Sequence, residues 1–126
     1  MNDEAVWSAY ADENLAVARL SLERGYYNAC LQNAQQAVEK YLKFSLLRNN
    51  VPFSKTHSIL TLRTLLADIG VDVNLTDQDC DLLDSIYLPS KYPLGAALPD
   101  FAPDEKICQR IVDMAVGVQR AVSISK

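Results

Sequence analysis

Apolar positions recur three and four residues apart over most of the chain, and the pattern is cleanest between Tyr26 and Asn50. On a wheel of about 100° per residue, Tyr26, Tyr27, Cys30, Leu31, Ala34, Ala37, Val38, Tyr41, Leu42 and Phe44 fall on one arc of roughly 160°. Gln32, Gln35, Gln36, Glu39, Lys40 and Lys43 fall opposite, and Asn49, Asn50 and Pro52 end the helix. Asp3 to Arg24 predicts an earlier helix, with acids in its first turn and Gly25 as its stop. A third starts near Thr56 or Ser58, either of which can cap it, runs through Ile59, Leu62, Leu65, Leu66 and Ile69, and stops at Gly70. In the fourth, Thr76 before Asp-Gln-Asp gives a capping-box pattern with Asp79 in the usual Glu position, and Leu82, Leu83, Ile86 and Tyr87 form the stripe until Pro89. Residues 89–103 hold four of the five prolines and predict irregular chain. A fifth helix begins at about Pro103, with Asp104 and Glu105 in its first turn and Ile107, Ile111, Met114 or Ala115, Val118 and Val122 as its stripe. No segment alternates in the manner of a strand. The expectation is an all-α antiparallel bundle of about five helices, one domain over residues 1–126.

Composition agrees with that expectation: 126 residues, 49% hydrophobic and 22% charged, describe a globular chain with one core. No apolar stretch approaches the roughly 20 residues that cross a bilayer, so no membrane association is expected. The opening MNDEAVW is acidic where a secretory signal would be basic, which predicts a cytoplasmic location. Cys30, Cys80 and Cys108 are far apart, form no CxxC pair and share the chain with one histidine, so neither a disulfide framework nor a metal site is expected. All three lie on or beside apolar stripes, as small buried hydrophobes do.

Charge changes the picture more. The net charge is −4, yet the segment from Glu39 to Arg63 holds five bases and one acid, while residues 68–84 hold six aspartates and no base. The positive segment is where an anionic ligand would be sought. It contains Glu39, Lys40 and Lys43 on one helix face and Lys55-Thr56-His57-Ser58 at the start of the next helix; Lys91-Tyr92 in the proline-rich stretch adds another cation. A helix start offers unpaired backbone N–H groups, and with Lys55, His57 and two hydroxyls beside them it suits a phosphate. A plainer reading fits the same residues: a capping hydroxyl, a solvated His57, and Glu39 with Lys43 as a surface i, i+4 pair contributing about 0.2–0.5 kcal/mol. The glutamine-rich arc is less charged than a fully solvated helix face, which predicts contact with a second copy in a homodimer. No phosphate loop, nucleophile elbow or zinc-protease motif is present, and no cofactor is expected.

Three segments together, YYNACLQNAQQAVEKYLKFSLL, KTHSILTL and IYLPSKYP, resemble the HEPN domain family, the higher eukaryotes and prokaryotes nucleotide-binding domain. The likeness spans roughly residues 5 to 122 and implies a HEPN-like helical bundle, commonly a homodimer, often paired with a minimal nucleotidyltransferase in toxin–antitoxin systems. It carries nucleotide or RNA binding onto Glu39, Lys40, Lys43, Lys55, Thr56, His57, Lys91 and Tyr92. In some members it also implies metal-independent RNA cleavage by an Arg followed, after four to six intervening residues, by a His. This chain departs from that motif: Arg48 precedes His57 by too many residues, and no histidine follows Arg110 or Arg120. His57 is then the candidate base, with Lys55, Lys43 or Lys91 as the cation. Lys91-Tyr92-Pro93 stands where relatives often carry Arg-Tyr-Pro, and lysine lacks the planar fork that grips phosphate twice. Three functions remain open at this stage: a binding module, a ribonuclease toxin, and a helical scaffold for a protein partner.

Overall fold

A computed structural model of the protein describes residues 3–91 and 103–124, with side chains over 4–86 and 103–123. Among them lie five helices and no strand: α1 (Asp3–Glu23), α2 (Tyr27–Arg48), α3 (Ile59–Asp68), α4 (Asp77–Lys91) and α5 (Glu105–Ile124).

Helices α1 to α3 end in the same way. The residue after each C-cap region takes a left-handed backbone, Gly25 at φ 78°, Asn50 at 58° and Gly70 at 81°. In each case the next amide reaches back five residues: Tyr26 N to Ser21 O at 2.8 Å, Val51 N to Leu46 O at 2.9 Å and Val71 N to Leu66 O at 3.0 Å. This is the Schellman arrangement, which satisfies the last carbonyls and turns the chain sharply. The first such turn folds α1 antiparallel onto α2. Trp7 then meets Lys43, Tyr10 and Asn14 meet Lys40, and Asp12 meets Tyr41.

Helix starts are equally local in origin. Ser58 caps α3 by accepting from Thr61 N at 3.2 Å. Thr76 and Asp79 exchange bonds at 3.0 and 3.1 Å, so aspartate does complete the capping box of α4. Helix α5 begins two residues later than Pro103, because the Asp104 carboxylate accepts from Ile107 N at 2.9 Å and so takes the capping position outside the helix. Helix α4 does not stop before Pro89 but runs to Lys91. Proline lacks the N–H that would bond to the preceding turn, and here only two further residues follow it before the helix ends.

Helix α2 packs against α1, α3, α4 and α5. Its apolar arc supplies Cys30, Leu31, Ala34, Ala37, Val38, Tyr41, Leu42 and Leu46 to a continuous core with Leu15, Leu62, Leu66, Leu83, Ile86, Ile111, Ala115 and Val118. Tyr26 is 65% exposed and leaves that arc. Because helices surround α2, three residues of its expected polar face, Gln35, Glu39 and Lys43, are buried as well. Gln32 is exposed and Gln36 half-buried, with Gln36 Nε2 donating to Gln35 Oε1 at 2.8 Å. The glutamine arc is therefore partly interior. No helix among the described residues is long and apolar enough to cross a membrane.

Candidate functional site

The last turns of α2 face the first turns of α1 across the loop that leads into α3. Glu39 is 3% exposed and Lys43 6% exposed, which removes them from the class of solvated surface pairs. Glu39 Oε2 accepts from Lys43 Nζ at 2.9 Å and lies 3.1 Å from His57 Nδ1. One carboxylate oxygen thus holds an ammonium and an imidazole together. Facing a carboxylate, Nδ1 carries the proton, so the contact fixes both the tautomer and the ring orientation. The other oxygen, Oε1, is buried without a hydrogen-bond partner. Lys43 Nζ also sits 5.2 Å from the centre of the Trp7 ring, a cation–π distance.

Lys43, His57 and Trp7, with Phe53, Lys55 and Thr56, line a pocket of about 460 Å³. That volume lies in the range of small-molecule sites. Lys55 and His57 are exposed at its mouth, whereas Lys43 is deep. Two lysines against one carboxylate leave the pocket net positive before His57 is counted. Thr56 has a local task too, its Oγ1 accepting from Ser58 N at 3.1 Å.

The opening turn of α3 is not available to an anion. Asp84, from α4, accepts from Ile59 N at 2.7 Å and from Leu60 N at 3.3 Å, and takes the Ser58 hydroxyl at 3.3 Å. A carboxylate of the chain itself already occupies the position a phosphate would need, so the expectation of a helix-start anion site is corrected. The cationic side chains around the pocket remain; the backbone N–H groups do not.

The structure therefore brings Glu39, Lys43, Lys55, Thr56 and His57 together. Lys40 lies elsewhere, donating to Asn14 Oδ1 at 2.6 Å and approaching the Tyr10 ring at 5.9 Å. The Lys91 side chain and Tyr92, like Pro93, fall outside the described residues. Trp7 was not among the sequence candidates. A signal existed: a hairpin turning at Gly25 places residue 7 opposite residue 43. Among the described residues no group of three metal-ligating side chains is found.

All three cysteines are free and buried. Burial pushes the Cys30 and Cys80 thiols up, and burial together with the neighbouring Cys30 pushes Cys108 up to about 12. None has the lowered pKa of a reactive thiolate.

The five helices of the described residues, with a lysine- and histidine-lined pocket between the first two and the α2–α3 loop, define a small helical domain with a cation-lined cleft. The HEPN domain model matches residues 5–124, and the chain belongs to that family. The fold is similar to that of TT1696 from Thermus thermophilus, at 31% identity, 98% coverage of both chains and a TM-score of 0.76. It is also similar to ST0689, an archaeal HEPN homologue, at 25% identity, 98% coverage of this chain, 97% of the other and a TM-score of 0.71. No curated protein matches the chain at a significant level.

Proposed function

We propose that this HEPN domain is a binding module that seats the phosphate of a nucleotide or RNA in the pocket between Trp7 and His57. The observation that carries the reading is the shared oxygen of Glu39, which holds Lys43 and His57 at 2.9 and 3.1 Å on the wall of a cavity of nucleotide size. Glu39 holds the Lys43 side chain in place on the pocket wall. Lys55 and His57 contribute donors at the rim, and Trp7 offers a ring face for a base. Since Asp84 closes the α3 start, charge selection falls to the side chains, and binding weakens with added salt.

Trp7 is the only tryptophan in the chain, so its fluorescence reports the pocket. Titration with nucleotides and short RNA is expected to change that signal saturably, with weaker binding for Lys55→Ala and His57→Ala. Equal affinities in all three proteins would refute the site. We further propose a homodimer that acts with a minimal nucleotidyltransferase in a toxin–antitoxin-like pair. Light scattering giving the mass of one chain would remove the dimer. A reading frame for a nucleotidyltransferase found beside this one would support the pairing, and a neighbourhood without one would count against it.

A second reading is favoured by one detail: a carboxylate orienting an imidazole is also how a catalytic base is positioned. In that reading His57 takes the 2′-hydroxyl proton as that oxygen bonds to phosphorus, Lys43 or Lys55 stabilises the charged phosphorane, and the P–O5′ bond breaks with the proton passed to the departing 5′-oxygen, leaving a 2′,3′-cyclic phosphate. Incubation with RNA in chelator decides it, since cleavage by the parent and none by His57→Ala is required.

A further inference from the structure

A second cleft, of about 440 Å³, lies between α1, α2 and α5. Its floor is the Tyr41 ring, buried to 1% exposure, whose hydroxyl donates to Asp12 Oδ1 at 2.5 Å. Gln119 Nε2 donates to the same oxygen at 3.1 Å. Burial and the adjacent Asp12 push the Tyr41 hydroxyl upward, so it stays a donor and the carboxylate stays aimed. Asp12 Oδ2 receives no hydrogen bond among the described residues.

Two guanidiniums complete the cleft. Arg48 comes from the last turn of α2 and Arg120 from α5. Arg48 lies over the Phe44 ring at 5.5 Å from its centre, a cation–π distance. In a chain with more acids than bases, neither arginine has an ion-pair partner among the described residues. Asp12, the one acid lining this cleft, already has Oδ1 engaged by neutral donors. Two planar forks without carboxylates, above a floor with one open acceptor and an apolar wall, form a set with complementary chemistry. The forks suit a dianionic phosphate and the acceptor suits a hydroxyl.

We propose that this cleft binds a phosphate monoester carrying a free hydroxyl, with the phosphate between Arg48 and Arg120 and the hydroxyl donating to Asp12 Oδ2. The site is separate from the Trp7 pocket and stands whether or not that pocket binds a ligand. A nucleoside monophosphate and a sugar phosphate both have the required chemistry.

Calorimetric titration of the full chain at low salt with AMP, ribose 5-phosphate and inorganic phosphate tests this. Both esters are expected to bind more tightly than inorganic phosphate. Arg48→Ala and Arg120→Ala, at exposed positions that leave the fold intact, are each expected to weaken them by about tenfold, the usual effect of removing one charge-assisted contact. Ribose 5-phosphate has no base to stack on Trp7, and Arg48→Ala and Arg120→Ala are expected to weaken it while the Trp7 fluorescence response to nucleotides stays as in the parent. AMP favoured over ribose 5-phosphate makes the ligand a nucleotide, and equal affinity makes it a sugar phosphate; both support the site. Absence of saturable ester binding would overturn it, as would arginine variants that bind like the parent. Ribose 5-phosphate binding lost in Lys55→Ala or His57→Ala yet kept in both arginine variants would assign the phosphate to the other pocket and overturn this one.

Discussion

The buried pair on α2 makes a quantitative prediction about stability. Glu39→Leu leaves the Lys43 ammonium, 6% exposed, without its carboxylate. Breaking a buried ion pair from one side costs about 3–5 kcal/mol, because the remaining charge is neither solvated nor compensated. The Trp7 ring at 5.2 Å offsets about 1 kcal/mol of that, which leaves roughly 3 kcal/mol. Lys43→Met leaves the Glu39 carboxylate with His57 as its remaining partner, and a loss of similar size is expected, again about 3 kcal/mol. Replacing both by Leu and Met removes both charges and fills the same space, so the double variant should lie within about 1 kcal/mol of the parent. Urea denaturation followed by far-ultraviolet circular dichroism measures all four proteins. The single variants should melt about 10 °C lower at this chain length. A coupling of at least about 2 kcal/mol is expected from the double-mutant cycle. If each single variant costs under about 0.5 kcal/mol and the two add, the pair behaves as an exposed i, i+4 pair and the reasoning fails.

Two more outcomes follow from other parts of the structure. Asp84→Ala removes the carboxylate from two α3 amides and the Ser58 hydroxyl, and should lower stability by about 2 kcal/mol in the same urea assay; a change below about 0.5 kcal/mol would count against the cap. The buried thiols should resist alkylation in the native state, and their raised pKa values give a direction with pH. The unfolded chain loses thiol protons from near 9 while Cys108 keeps its own to about 12, so stability falls as pH rises through that window. A melting temperature that stays flat or rises from pH 9 to pH 11 would contradict this.

The ends of α1, α2 and α3 and the start of α4 were legible because their causes are local. Gly25, Gly70 and Asn50 adopt the left-handed backbone that ends a helix, and Thr76 with Asp79 needs only each other. The apolar arc of α2 was legible because its period is independent of what covers it. The fate of the opposite arc was not. Burial of Gln35, Glu39 and Lys43 depends on helices surrounding α2, a property of the assembly rather than of any segment. The Asp84 cap was hidden for the same reason, since the carboxylate and the amides it binds are separated by a whole helix and a loop. Of the candidate site, Lys43, Lys55 and His57 were found from charge and motif, whereas Trp7 requires the hairpin to be folded first.

The salt bridge inside α2 also bears on how the domain reaches one structure. Apolar contacts over so wide an arc tolerate a helix turned a few tens of degrees about its own axis, because many side chains of similar size would still meet others. The Glu39 carboxylate and the Lys43 ammonium do not tolerate it: they turn with the helix, and any other angular setting takes Glu39 away from His57 and Lys43 away from the Trp7 ring. The pair acts as a key that admits a single orientation, and it does so at the position where the orientation decides which way Lys43 points.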